Sequence, residues 1–268
     1  MSQARQTVLR GAGTRGAGLS GALAGRLRAI RFAAVVVVTA LSPSAWTGDA
    51  RLLAARQLHF SAWLPLPGFT LAFAVLGFVL VRIVIGTAQA YGLAHYALEL
   101  TVRVLALELI PLFAALFVGL RSGATTAAEV ALMHADGEFE RLARAGRDPL
   151  SAELVPRALG GLVAVMLLAL SNGLVTLALA YVELYGLSPW AVGSFVRITG
   201  HVFDPLIVAG FLIRTILFGL AVGAIPITAA LGIGRDRAQV PHAVRRAMVR
   251  LGAALVLIEL VFLAVTYA

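Results

Sequence analysis

LGGLVAVMLLALSNGLVTLALAYV, residues 159–182, carries no charged side chain from end to end. A helix rises about 1.5 Å per residue and the hydrocarbon core of a bilayer is about 30 Å thick, so a charge-free run of this length is what a membrane crossing requires. Four further apolar runs lie around it. They cover 68–90 with Arg82 inside, 97–120 with Glu108 ahead of Pro111, 206–230 with Arg214, and 251–268 with Glu259. The pattern predicts an all-α integral membrane protein with five transmembrane helices. Over the whole 268 residues, 60% are hydrophobic and 13% charged, with a mean hydropathy of +0.92, which excludes a soluble enzyme domain. All 22 basic residues are arginine, so the phosphate-binding loop ending in Gly-Lys-Ser/Thr cannot be built from this chain. If ATP drives the protein, another chain binds it. The absence of cysteine excludes disulfides, thiolate metal sites and cysteine nucleophiles.

The net charge of +9 is read through its distribution over loops, so no nucleic-acid partner is expected. Eighteen arginines fall before residue 68, between Arg121 and Arg157, and between Arg235 and Arg250, whereas Arg103 and Arg197 alone fall in the alternate segments. Under the positive-inside rule the N-terminus is cytoplasmic and the C-terminus lies at the outer face. Residues 1–67 read as a basic N-terminal part. Arg5, Arg10, Arg15, Arg26, Arg28 and Arg31 precede a run from Phe32 to Leu41 that is too short to span, which suits a helix lying in the cytoplasmic interface. A signal peptide cleaved near Ser42-Pro43-Ser44-Ala45 is the competing reading, though its basic leader is unusually long. Residues 49–60 read as a second amphipathic helix, broken by Pro65 and Pro67.

Residues 121–157 form the most polar stretch between spans, and they are helical in period. Leu132, Ala135, Phe139 and Leu142 fall on one face; Asp136, Glu140 and Arg144 fall on another, with Glu140 well placed to pair with Arg144. Asp148-Pro149 is expected to stop this helix. A solvated connecting helix and a docking helix for a cytoplasmic partner both fit the pattern.

Three stretches here resemble the MlaE/YrbE permeases of MCE-type lipid-transport ABC systems. They are Leu107-Glu108-Leu109-Ile110-Pro111-Leu112-Phe113-Ala114-Ala115-Leu116, Gly119-Leu120-Arg121-Ser122-Gly123-Ala124, and Ala127-Ala128-Glu129-Val130-Ala131-Leu132-Met133. Asp148-Pro149-Leu150 and Val155-Pro156-Arg157 match landmarks of that family at similar spacing, and the likeness begins at Leu52-Leu53-Ala54-Ala55-Arg56-Gln57-Leu58. It implies a homodimeric permease of the bacterial inner membrane, with residues 68–268 as the permease domain and an interfacial N-terminal helix. It also implies a cytoplasmic ABC ATPase docked on 129–146, through Glu129, Leu132, Asp136, Phe139, Glu140, Leu142 and Arg144. A periplasmic MCE-domain protein and a phospholipid or related lipid complete the expected partners, and no cofactor is expected.

An ionisable residue inside a span is expensive enough to invite a functional reading. By the resemblance, Glu108 lies near the lipid cavity, Arg214 and Glu259 match charged residues of the fourth and last spans, and Tyr91 matches a cavity-lining tyrosine. The alternative is that these charges, with Arg82, only pair to hold the bundle together or snorkel to an interface. Two departures from the family pattern stand out. Leu107 replaces an arginine and Ile83 a glutamine, so Arg82 is expected to supply the missing positive charge. Gly219-x-x-x-Gly223 permits close helix approach. His59, His95, His134, His201 and His242 show no metal-binding spacing, and Gly193-Ser194 lacks the surroundings of a serine nucleophile. Val240-Pro241-His242-Ala243-Val244-Arg245-Arg246-Ala247 stands where the family has a Thr-Thr-Arg-like stretch, and Arg245, Arg246 and Arg250 suit anionic head groups. Two rival readings remain: a lipid-modifying enzyme using Glu108 and Glu259 as acid and base, and a non-transporting scaffold.

Overall fold

The computed structural model describes residues 19–40, 48–93, 96–232 and 236–267. The readings placed on Arg5, Arg10, Arg15, Leu41, the Ser42–Ala45 site, His95, Arg235 and Ala268 lie outside these residues. Among the described residues every regular element is a helix. Helix α1 is Leu19–Ala40. Helix α2, Gly48–Leu58, passes through a π-helical turn at His59–Trp63 into α3, Leu66–Ala90. Helix α4 is a continuous rod, Ala97–Ala135, in which π-helical stretches at Thr101–Leu109 and Gly119–Gly123 alternate with α-helix. Then follow α5, Glu138–Arg144, α6, Leu150–Tyr185, α7, Val192–Val202, α8, Pro205–Ala230, and α9, Val240–Tyr267. Five of these helical rods are long and apolar enough to cross a membrane, those of α3, α4, α6, α8 and α9.

The rods outrun the apolar runs expected from hydropathy. At 39 residues, α4 is about 58 Å long, nearly twice the hydrocarbon thickness. Hydropathy marks where side chains must suit lipid, whereas the backbone ladder continues until a cap or breaker ends it. Pro65 and Pro67 do not separate α2 from the first span. Leu64 and Pro65 form a turn and Pro67 falls in the first turn of α3, where a missing N–H breaks no intrahelical bond. Pro111 is absorbed in another way: the stretch before it runs in π register, Ile110 N donating to Leu105 O.

Helices α6 and α8 form the centre, and the rest pack on them. They cross where Gly161 of α6 meets the backbone of Gly223 in α8; a Cβ on Gly161 would lie 3.3 Å from Gly223 Cα. Four residues along, a Cβ on Gly219 would lie 3.0 Å from Leu162 Cα. The Gly219/Gly223 pair is therefore an internal helix crossing, with backbones closer than any side chain would allow. Helix α2 rests on α6 with Gln57 over Gly160, and α9 rests on α4 with Leu251 over Gly119.

At the end of the bundle where the arginines collect, α1 packs against α8 and α6. Its Phe32 and Val36 are fully buried among Met133, Phe139, Leu150 and Leu154, and Gly25 lies against the guanidinium of Arg250.

Two alanine substitutions in α8 separate close approach from helix propensity. A Cβ at residue 223 would sit 2.3 Å from the carbonyl oxygen of Ala158, whereas at residue 210 nothing lies within 4 Å. Gly223→Ala is expected to lower stability by about 3 kcal/mol or prevent folding, read as loss of monodisperse protein in detergent. Gly210→Ala is expected to leave the melting midpoint unchanged or raised.

Candidate functional site

Helix α4, α8 and α9 each bring one ionisable side chain to a similar depth. Glu108, Arg214 and Glu259 lie about 17, 14 and 12 Å along their helices from the same end of the bundle, opposite the arginine-rich one. Arg214 is 4% exposed and Glu108 is 9% exposed. Arg214 Nη1 stands 3.7 Å from Glu259 Oε1, close enough for ion pairing but beyond hydrogen-bond range. Its guanidinium also sits 5.0 Å from the centre of the Phe262 ring, a cation–π contact one helical turn beyond Glu259. Glu108 is near enough to act electrostatically on Glu259. Arg214 Nε and Nη1 and Glu259 Oε2 are buried without a hydrogen-bond partner among the described residues. Arg–carboxylate pairs frequently close into a bidentate fork; this one leaves donors and an acceptor unused.

Arg82 does not join this group. It pairs with Glu183 near the end of α6, at 3.8 Å, with most of its side chain exposed. Helix α3 packs on α6, which brings Arg82 to that helix. Tyr91 caps α3 and is 79% exposed, a place suited to an interface anchor. Glu183 and Phe262 escaped the sequence reading, since pairing partners on other helices have no fixed spacing along the chain. Asn172 and Thr176, one turn apart on α6, are fully buried with Asn172 Oδ1 and Thr176 Oγ1 unpartnered among the described residues.

The polar segment at the arginine-rich end is built differently from the single amphipathic helix expected. Gly137 adopts φ +69°, a left-handed conformation that glycine takes without strain, and it separates α4 from α5. The apolar stripe is broken at that point. Leu132 stays exposed on α4, whereas Phe139 on α5 is 6% exposed and packs in the cluster that holds Phe32 and Met133. Leu142 is half-buried. Asp148-Pro149 does not stop this helix. Gly146, at φ +75°, does, with Gly146 N donating to Ala143 O and Arg147 N to Leu142 O, the paired bonds of a Schellman ending. Asp148 instead begins α6, its Oδ1 accepting from Leu150 N at 3.2 Å. Arg144 Nε donates to the backbone oxygen of Glu140 at 3.3 Å.

Two ion pairs fasten this region to its neighbours. Asp136 Oδ1 accepts from Arg237 Nε at 2.7 Å, and that hydrogen bond holds the exposed Asp136 carboxyl below its ordinary range. Glu129 Oε2 lies 3.5 Å from Arg157 Nε, and the Arg157 Nη1 is bonded to the Glu153 carboxylate. Glu129 therefore ties α4 to α6. Among the described residues no group of three or more His, Asp or Glu side chains is placed to hold a metal ion.

In comparisons with known proteins, the family model described as Permease MlaE matches residues 54–265. No curated protein matches the chain.

The pairing of Arg214 with Glu259 sets a stability test. Arg214→Leu alone strands a buried carboxylate and is expected to destabilise by about 3 kcal/mol, while Arg214→Leu with Glu259→Leu recovers most of that loss. Thermal unfolding in detergent reads both; equal losses for the single and double variants would show that the two charges are not coupled.

Proposed function

The chain belongs to the MlaE permease family, and from that premise we propose that it passes phospholipid or a related lipid between the inner membrane and a periplasmic carrier bearing an MCE domain. It is a transmembrane permease subunit of a lipid ABC transporter, with no covalent chemistry of its own. Two copies enclose an apolar cavity open toward the outer side. The aliphatic faces of α8 and α9, exposed in a single chain at Leu212, Ile213, Val256 and Leu260, supply surface for the partner copy and for acyl chains.

The observation that carries this reading is Arg214. A guanidinium kept inside a membrane at a cost of several kcal/mol, with two of its nitrogens unbonded among the described residues, is poised for an anionic group besides Glu259. Glu259 stands beside it, and Glu108 lies close enough to Glu259 to act on it electrostatically. One cation flanked by two anions suits a head group carrying both signs: phosphate oxygens meet Arg214, and an ammonium meets Glu108 or Glu259. Phe262 and the surrounding aliphatic side chains exclude water and strengthen each of these contacts. Tyr91, at the outer end of α3, takes a place at the cavity mouth, and Arg82, about 12 Å in from that end, lies on the wall beneath it.

An ATPase chain docks at the arginine-rich end, on residues 129–146. Leu132, Glu140, Leu142 and Arg144 give it an adaptable surface of both polarities, while Glu129, Asp136 and Phe139 work inward. Phe139 anchors α5 in the core, and Glu129 and Asp136 tie α4 to α6 and to the segment before α9. A push on α5 is then carried as a rigid-body shift to three spans. The arginine-rich end is accordingly cytoplasmic.

The head-group assignment is tested on the double variant Arg214→Leu/Glu259→Leu, which keeps charge balance. Lipid phosphorus co-purifying with the folded protein in mild detergent is expected to fall about tenfold against the unaltered chain, the equivalent of one lost charge-assisted contact. Arg103→Gln serves as the control and is expected to change nothing. Unchanged phosphorus in a folded double variant overturns the assignment.

A further inference from the structure

A cavity of about 550 Å³ opens at the arginine-rich end between α2, α4 and the start of α6. It is separate from the Arg214 group, which lies toward the other end of the bundle. Its wall carries three guanidiniums, Arg56, Arg121 and Arg157, against a single carboxylate, Glu129. The three arginines are not equivalent. Arg157 is already engaged by Glu129 and Glu153, so its charge is met. Arg56 and Arg121 have no ion-pair partner among the described residues, and the three arginines outnumber the two carboxylates gathered on Arg157.

The neutral lining groups favour an anion as well. Ser61 is 1% exposed; its Oγ accepts from Gln57 Nε2 at 3.4 Å, which leaves its own proton to donate into the cavity it lines. Ser122, also buried, lines the same wall. Buried hydroxyl donors beside planar guanidinium forks form the donor set that recognises tetrahedral phosphate oxygens.

The rim indicates what carries the phosphate. Arg56 lies 5.9 Å from the centre of the ring of Phe60, which lines the cavity, and beyond the buried Ser61 and Ala62 the side chains of Trp63 and Leu64 are exposed where α2 turns into the first spanning helix. Aromatic and aliphatic side chains exposed at the end of a span sit at head-group depth. A soluble anion has no use for such a rim, whereas a lipid rests its glycerol and upper acyl carbons on it.

We propose that Arg56, Arg121 and Ser61 form a phosphate-binding site for an anionic phospholipid of the leaflet at the arginine-rich end, distinct from the site of transported lipid. Occupation would fix α2 against α4 and α6. Gln57, which lines this cavity, is also the residue that seats α2 on Gly160 of α6, so a bound head group bears on the seat of α2.

The test uses the full chain in a zwitterionic detergent, carrying Arg214→Leu/Glu259→Leu so that the other lipid site is disabled. It is titrated calorimetrically with dihexanoyl phosphatidylglycerol, with inorganic phosphate, and with dihexanoylglycerol, which lacks a phosphate. Phosphatidylglycerol is expected to bind, phosphate to compete with it more weakly, and dihexanoylglycerol not to bind. Adding Arg56→Gln and Arg121→Gln, both on exposed side chains, is expected to weaken phosphatidylglycerol about tenfold or more with an unchanged melting midpoint. Phosphate binding as tightly as phosphatidylglycerol would overturn the lipid assignment in favour of a soluble anion. Phosphatidylglycerol affinity insensitive to both substitutions, or equal binding of dihexanoylglycerol, would overturn the site itself. Failure here alongside normal lipid capture by the unaltered chain would leave the transport reading untouched.

Discussion

The crossing of α6 and α8 at Gly161, Gly219 and Gly223 is the contact on which the rest of the bundle depends. In a membrane the apolar effect does not drive one helix onto another, because lipid tails are as apolar as leucine; helices associate where small residues let backbones come close and side chains interlock. The approach here is close enough that a methyl group on Gly223 would enter the Ala158 carbonyl. With α6 and α8 locked, their outer faces form the surface on which α3, α4 and α9 lie, and their ends receive α1 and α2. Arg214 lies on the same helix only five positions from Gly219. Its depth and rotation relative to Glu108 and Glu259 therefore follow from the crossing.

That arrangement concentrates buried charge in an otherwise apolar bundle. Replacing a buried ion pair by well-packed apolar residues is often neutral or stabilising, so stability alone gives little reason to retain Arg214 and Glu259. Their geometry, with unused donors and an unused acceptor, points the same way. The opposite end of the molecule follows a different rule. There the charges form exposed pairs such as Asp136 with Arg237 and brace short helices.

Much of this was legible in the sequence because membranes impose few, strong constraints. Long apolar runs, one of them free of charge and four carrying isolated charges, marked the five crossings, and Arg82, Glu108, Arg214 and Glu259 stood out within them as exceptions to the rule that makes the runs recognisable. The spaced resemblance from Leu52 onward pointed to the family that the match over residues 54–265 shows. What stayed hidden depended on geometry between segments. Periodicity continued smoothly from Leu132 to Leu142, yet a single left-handed glycine at 137 turned Phe139 into the core. The pairing of Arg82 with Glu183 joins two helices and so leaves no signature in the sequence around either residue. Arg56, Arg121 and Arg157 are distant in the chain, and only the packing of α2 on α6 gathers them around one cavity.

The central claim is that this chain works as the membrane half of a lipid-moving assembly. The most direct measurement is affinity purification from its native membranes in mild detergent, with every co-purifying chain and lipid identified and counted by mass spectrometry. The account predicts two copies of this chain with an ATP-hydrolysing subunit, an MCE-domain protein and bound phospholipid. Reproducible recovery of this chain alone, free of ATPase and of lipid, would contradict it.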